Sequence, residues 1–492
     1  MKDLLRGKRL EEMNKKALKY TASIDYDSPL LSSVITINKA HMIALYNAGV
    51  LSKSDTSRLL QGLNIKEELP KESGLEDVHM FVEQKVREKA GEIGGYLNLG
   101  KSRNDQVATA IRMAMRESIL TTITSLLNLS EVIIDKAAKS TELIIPTYTH
   151  LQVAQPVTLA HWLLAYENML SRDVDRLTEN YGRVNCSPMG AAASAGTTVK
   201  INRKEIANYL GFTSVVGNSI DAVSSRDTLL EFIFITSSIA LTLSRISEDI
   251  NFMSNNETGI LIVPDAYAST SSAMPQKKNS VVTEIVRACP GTILGNLAST
   301  ICIYKALPSS YNLDLQEMTP KMWDSYLLIQ KTIDVIAGLI EGLEVDEKRS
   351  VNILITNFST AMELAEYITV KMRIPFREAH YIVGAYVRQC LEKRLEPLSE
   401  DAYSIFLKEL VAYKENKITF KEYKSLLDPK QSVIKKTIYG GPNPSNTEKM
   451  IRGRRLHISK CKSNIKKETD RLIKASSKLN QKVIEIMGGE SY

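Results

Sequence analysis

The sequence predicts a mainly α protein built around a bundle of long helices, and three observations carry that expectation. Apolar residues recur at helical spacing over unusually long stretches, strand signals are few and short, and the breaks between stretches are sharp and polar. At 492 residues the chain exceeds what one compact core holds, so two or three domains are expected. The breaks at Gly100–Asp105 and Asn357–Thr360 divide it into 1–105, a helical N-terminal part, 106–358, a central bundle, and 359–492, a helical C-terminal part.

The elements follow in order. The N-terminus is charged throughout (Lys2, Asp3, Arg6, Lys8, Arg9) and lacks an apolar core, so no secretory leader is expected. Ala22–Tyr26 reads as a short strand. From Asp105 to about Lys139, Ile111, Met115, Ile119 and Ile123 recur four apart and lead into Leu126 and Leu127, which predicts the first long helix, capped by Asn104 or Asp105. Thr149–Pro156 reads as a loop before a helix over about 160–179, and Val199–Ile201 as a second short strand. Helical patterns then cover about 226–253, 281–304 and 321–343, with the turn-forming run Ser254–Gly259 between the first two. Helices this long, with broad apolar faces, suit a bundle and association through it. Shorter helices and the Tyr439–Pro444 turn fill the C-terminal part. In its last stretch Ile458, Ile465, Leu472, Leu479 and Ile486 recur every seven residues, one apolar seam on a long helix.

Composition excludes several function classes. No apolar run reaches the ~18–20 residues of a membrane span; the best, Leu229–Leu243, is broken by Glu231, Thr236, Ser237, Ser238 and Thr242. Five cysteines without a CxxC pair argue against a disulfide framework or a structural zinc site and suit a cytoplasmic protein with free thiols. Six histidines show no HExxH. His79 and Glu83 would share a helix face, which is slight ground for a metal, and none is expected. The net charge of +7 is concentrated: residues 449–482 hold twelve Lys and Arg against Glu468 and Asp470, a local +10, which leaves the rest near −3. Such a tail can bind nucleic acid. Its apolar seam and the absence of interleaved aromatics favour a solvated helix face instead.

The segment richest in chemistry is Thr270–Asn279 (TSSAMPQKKN). It sets three hydroxyls, two ammonium groups and two carboxamides on a stretch where Pro275 forbids a helix interior. Such a loop offers a carboxylate-bearing substrate cations and backbone N–H groups. Three more constellations stand out. Gly100–Thr109 (GKSRNDQVAT) opens a helix whose N-terminus attracts anions, and Arg103 adds a planar fork for a carboxylate; a plain capped helix start accounts for it equally well. Thr149–Pro156 (THLQVAQP) places His150 among polar neighbours, although a lone histidine is as readily structural. Ser309–Glu317 (SSYNLDLQE) offers Tyr311, Asn312 and Gln316 to a guanidinium or carboxylate edge.

The loop resembles the signature of the fumarase/aspartase superfamily, Gly-Ser-Ser-x-Met-Pro-x-Lys-x-Asn, from Ser271 to Asn279, with Thr270 where glycine is usual and Ser280 where proline is common. Ser-Arg-Asn-Asp-Gln at 102–106, Thr-His-Leu-Gln-x-Ala-Gln-Pro at 149–156 and Tyr-Asn-x-Asp-Leu-Gln-Glu at 311–317 resemble the argininosuccinate lyase family in particular. Ala22–Asp27, Glu76–His79, Ser225–Asp227 and Ile374–His380 extend the likeness from about Ser23 to Ser445.

The resemblance implies a three-domain fumarase/aspartase-like fold whose central helices form the core of a homotetramer, with each active site assembled from three subunits. It implies reversible release of fumarate from argininosuccinate to leave arginine, the closing step of arginine biosynthesis, without metal or organic cofactor. It implies Ser271 as the base, Lys277 as stabiliser of its alkoxide, and His150 as the acid, oriented by Glu284. Ser23, Arg103, Asn104, Thr149, Asn279, Tyr311, Gln316 and Arg226 are the implied substrate ligands. The family's further substrate lysine is out of register at Lys321. The expected partners are the small substrate and copies of the chain, with no nucleic acid and no membrane. Adenylosuccinate lyase, fumarase and aspartase fit less well because of Arg103 and Tyr311–Gln316. A non-catalytic, crystallin-like relative fits less well because Ser271, Lys277, Asn279, His150 and Glu284 are all present.

Overall fold

The computed structural model describes residues 9–70, 74–411 and 418–488. Five long helices, Arg103–Ala138, Leu159–Val184, Asp227–Ser254, Val281–Tyr304 and Met318–Gly342, pack into one bundle. Each lies within a few residues of its predicted span. Ile111, Met115, Ile119, Ile123, Leu126 and Leu127 are all buried along the first of them, as their spacing requires. That helix starts differently from the expectation. Ser102 is its cap, with Oγ accepting from the Asn104 N–H at 3.3 Å, and Asp105 closes a capping box by accepting from the Ser102 N–H at 3.0 Å. Asn104 and Asp105 thus lie inside the first turn.

The two expected strands are absent. Ile24–Tyr26 is a 3₁₀ turn, and 199–201 carries no ladder. Among the described residues, strands form instead as four two-stranded pairs, among them Ile144–Thr149 with Gln152–Thr158, whose second strand takes up most of the expected loop Thr149–Pro156, and Ser269–Thr270 with Lys278–Asn279 at the base of the signature loop. The two strands of the first pair are joined by the two-residue turn His150–Leu151, with a register shift between Pro146 and Tyr148.

The helices Leu31–Asn47, Lys53–Gly62 and Val78–Ala90 share one continuous core with the bundle. A second, separate core runs from Phe358 to Leu427 around Tyr386, Phe406 and Tyr423. The last helix, Pro444–Met487, departs from the expected C-terminal unit and returns to the bundle, burying Ile451, Ile458, Leu479, Val483 and Ile486. Ile465 and Leu472 of the seven-residue seam are half-buried. Part of its basic face meets bundle carboxylates: Arg454 with Glu167, Arg455 with Asp135 and Lys462 with Glu131. Arg471 and the buried Arg116 both donate to the Gly211 carbonyl, each at 2.6 Å. Gly211 sits at φ +67°, a left-handed backbone that favours glycine, and a Cβ there would meet Leu472 Cδ2 at 2.9 Å and Ala475 Cβ at 3.3 Å.

Two bundle helices, Arg103–Ala138 and Asp227–Ser254, are long and apolar enough to cross a membrane, but 56% and 61% of their apolar windows are buried in the protein. Apolar side chains also remain exposed on the bundle: Phe234 and Leu241, Ile285 and Leu294, Ile301, and Leu327.

Candidate functional site

A cavity of about 270 Å³ lies where five segments meet. Ser23–Leu30 turns into it as two 3₁₀ turns, and the start of the Val78–Ala90 helix brings Glu76, Asp77 and His79. The capped start of the Arg103–Ala138 helix supplies Arg103 and Asn104, and the 311–320 segment supplies Tyr311 and Gln316. Arg226 reaches it from just before the Asp227–Ser254 helix. Six of the eight expected substrate ligands therefore line one cavity: Ser23, Arg103, Asn104, Arg226, Tyr311 and Gln316.

The wall is a hydrogen-bonded frame. The Ser23 and Ile24 N–H groups donate to the Glu76 carbonyl at 2.8 and 3.2 Å. Ser23 Oγ and the Val78 N–H both donate to Asp27 Oδ2, at 2.8 and 3.1 Å. Arg103 pairs with Asp77 at 3.0 Å and lies 3.7 Å from Glu76. Gln316 Nε2 donates to the Thr21 carbonyl at 3.0 Å, and Asn104 Nδ2 to the Ala193 carbonyl at 3.3 Å, so each amide turns its oxygen elsewhere. Arg226 is buried and donates to the Ser225 and Val223 carbonyls, while its Nε has no partner.

Burial dominates the electrostatics. It raises Asp27 to about 6 against two stabilising hydrogen bonds, with Asp77 adding to the rise. It lowers Arg226 to about 10, which leaves that guanidinium charged at neutral pH, and it holds the Tyr311 hydroxyl up. Burial also lowers His79 to about 4, so its ring is neutral. Two guanidinium groups facing three carboxylates suit a ligand that carries both signs of charge.

Asp27, Glu76, Asp77 and His79 were not among the expected site residues, although they lie in segments that carried the resemblance. A search for anion-binding groups passes over acids. Only the fold shows that they share a wall with Arg103.

The remaining expected residues are elsewhere in the chain. Thr149 and His150 sit at the exposed tip of the first hairpin, where His150 and Leu151 adopt φ of +54° and +60°. Turns of this kind favour Asn-Gly, and two side-chain-bearing residues there hold some strain. The signature loop is exposed, closed by the pairs Ser269–Asn279 and Thr270–Lys278. Ser271 Oγ accepts from the N–H groups of Ala273 and Met274, at 3.3 and 3.1 Å. Ser271 N–H donates to the Lys277 carbonyl at 3.2 Å. Of the two lysines, Lys278 is engaged by Asp265 at 2.6 Å and the Val263 carbonyl at 2.5 Å, whereas Lys277 makes no ion pair among the described residues. Glu284 is exposed in the first turn of the Val281–Tyr304 helix and makes no hydrogen bond to His150 within the chain. Thr149, His150, Ser271, Lys277, Asn279, Glu284 and Lys321 do not line the cavity. Glu83 accepts from Asn98 Nδ2 at 2.8 Å.

Comparison with known proteins bears on this arrangement. Residues 12–295 match a family described as lyase, and residues 358–434 match one described as argininosuccinate lyase C-terminal. The argininosuccinate lyase of Methanocaldococcus jannaschii is 37% identical over 480 residues, covering 96% of this chain and 98% of that protein. That of Methanothrix thermoacetophila is 39% identical over 490 residues, covering 99% and 98%. Among solved structures, EDDS lyase in complex with formate superposes with a TM-score of 0.88 at 28% identity over 96% of this chain and 95% of that one. A class II fumarase from Schistosoma mansoni shares the fold, with a TM-score of 0.70 at 16% identity over 82% and 91%.

Proposed function

The chain belongs to the argininosuccinate lyase family, and from that premise we propose that the cavity beside Arg103 is the substrate-binding part of a site that releases fumarate from argininosuccinate and leaves arginine. The observation that carries this reading is the convergence of six expected ligands on a cavity with charges of both signs. Argininosuccinate carries three carboxylates, a guanidinium and an α-ammonium. Arg103 and Arg226 suit its carboxylates, and Asp27, Glu76 and Asp77 suit its cationic groups.

In the reaction a base removes a proton from the carbon beside a succinyl carboxylate. The electron pair is held as an aci-carboxylate, then forms the double bond of fumarate as the carbon–nitrogen bond breaks. The departing guanidino nitrogen takes a proton. We assign the base to Ser271. Two N–H groups already directed at its Oγ favour the alkoxide, and Lys277, which makes no ion pair among the described residues, is available to do the same. Asn279 completes the donors for the developing charge. We assign the acid to His150, with Thr149 as a further substrate contact. A positioned acid or base is worth ~10²–10⁴-fold each.

The loop and the hairpin tip stand apart from the cavity, so the reading includes an assembly in which neighbouring copies supply them and bring Glu284 to His150. The exposed apolar residues on three bundle helices, Phe234, Leu241, Ile285, Leu294, Ile301 and Leu327, support a homotetramer built through that face. The cytoplasm is the proposed location, which five unpaired cysteines suit.

Ultraviolet absorbance of fumarate, on mixing the protein with argininosuccinate, tests the assignment. Ser271→Ala is expected to lower kcat by at least ~10³-fold with the oligomer intact. Release from adenylosuccinate instead, or a fully active Ser271→Ala protein, would refute it.

A further inference from the structure

The signature loop is tied to the bundle by one side chain. Among the described residues, the side-chain hydrogen bonds of 269–279 stay inside that segment except at Lys278. Lys278 Nζ donates to the Val263 carbonyl at 2.5 Å and to Asp265 Oδ1 at 2.6 Å.

The acceptors belong to a fixed part of the chain. Leu261–Ile262 pairs with Glu344–Val345, and the Asp346 N–H donates to the Ile260 carbonyl at 2.9 Å. Ile260, Leu261 and Val263 are buried. Asp265–Tyr267 is a 3₁₀ turn in which the Tyr267 and Ala268 N–H groups donate to the Pro264 and Asp265 carbonyls, at 2.9 and 3.2 Å. Pro264 and Tyr267 both sit against the Met318–Gly342 helix, at two glycines one helical turn apart. A Cβ at Gly342 would meet Pro264 Cγ at 2.6 Å, and one at Gly338 would meet Tyr267 Oη at 2.0 Å. Asp265 lies between these two seats, so its position is set by the bundle.

The loop itself has no such seat. Residues 272–278 are exposed, and Ser271 bonds only within the loop. Lys278 faces Thr270 across the loop's base, which places it beside both Ser271 and Lys277 in the chain. It does not line the cavity.

We propose that Lys278 is a positioning residue: its ammonium clamps the base of the loop to the 263–265 segment and so fixes where Ser271 and Lys277 are presented. The inference rests on the assignment of Ser271 as the base. An exposed loop must give up conformational freedom before proton transfer, and a clamp at its base removes part of that freedom in advance. The exposed pair with Asp265 contributes little by itself. The bond to the Val263 carbonyl adds a charge-assisted contact to a buried residue, and the two acceptors together set the direction of the side chain.

The test compares kcat for argininosuccinate, and arginine affinity by calorimetry, in Lys278→Met, Asp265→Ala and the double variant. Lys278→Met is expected to lower kcat about tenfold, the equivalent of one charge-assisted hydrogen bond in the population of the clamped loop. Arginine affinity should not change. Asp265→Ala should lower kcat about threefold. The double variant should fall no further than Lys278→Met, as two ends of one clamp require. Were Lys278 instead a cation acting on the reacting carboxylate, Asp265→Ala would release it and kcat would hold or rise. That result overturns the proposal, as does a multiplicative loss in the double variant or weaker arginine binding in Lys278→Met. If the native protein releases no fumarate, the reaction assignment fails separately. Amide hydrogen exchange over 269–279 then reads the clamp directly. Faster exchange in Lys278→Met than in the native protein supports it, and equal exchange refutes it.

Discussion

Replacing Asp27 by asparagine should stabilise the fold at alkaline pH while impairing the reaction. Asp27 is 6% exposed, and burial raises its carboxyl from 3.8 to about 6. The folded protein therefore holds this proton more tightly than the unfolded chain does. Below the unfolded value of 3.8 both states are protonated and there is no burden. As pH rises through about 6 the folded state must ionise a buried acid, and the burden becomes complete. A displacement of about two pH units corresponds to roughly 3 kcal/mol. The amide carries no charge, and its oxygen can accept from Ser23 Oγ and the Val78 N–H as the carboxylate does. Asp27→Asn is thus expected to gain about 1–3 kcal/mol at pH 8 and close to nothing near pH 4. For a chain of 492 residues the entropy of unfolding makes each kcal/mol about 1 °C, so urea midpoints are the better measure. The same variant should lose about 10²-fold in kcat/KM, because a charge-assisted bond to a substrate cation becomes a neutral one. A less stable variant at pH 8, or an equal gain at both pH values, would refute the account of Asp27 as a destabilised binding group.

Two further outcomes follow from the packing. Asp105 is fully buried and accepts from the N–H groups of Ser102, Gly190 and Ala192, at 3.0, 2.9 and 2.8 Å. Asp105→Ala should cost about 3–5 kcal/mol in urea unfolding by leaving three donors unpaired, and Asp105→Asn less; a neutral alanine variant would show that water reaches these groups. Ile285 is 73% exposed and Leu294 40% exposed on the Val281–Tyr304 helix. The pair Ile285→Arg and Leu294→Arg should yield monomers by sedimentation that release no fumarate, and active monomers would end the shared-site proposal.

The long helices were legible because their cause is local. Apolar residues four apart along 105–139 specify one buried face whatever surrounds it, and the helix ran from Arg103 to Ala138. Thr149–Pro156 reads as a loop because Thr149, His150, Gln152 and Gln155 are polar, and the positive φ of His150 and Leu151, which makes the hairpin turn, is invisible in residues that seldom adopt it. Ala22–Tyr26 failed as a strand because its N–H groups go to the Glu76 carbonyl and to its own turn, a choice made across some fifty residues.

The chemistry divides in the same way. Which groups are present can be read along the chain: Ser271 and Lys277 on a proline-interrupted loop, His150 beside Thr149, and Arg103 at a helix start. Spacing along the chain is enough to recognise such sets. Which of them meet was set by packing. It gathered Ser23, Arg103, Arg226 and Gln316 around one cavity, put Asp27 and Asp77 on the same wall, and left the loop and the hairpin tip outside it. These outcomes depend on distances between residues far apart in the chain, and on the loss of water that burial brings. Neither quantity exists until the helices have packed.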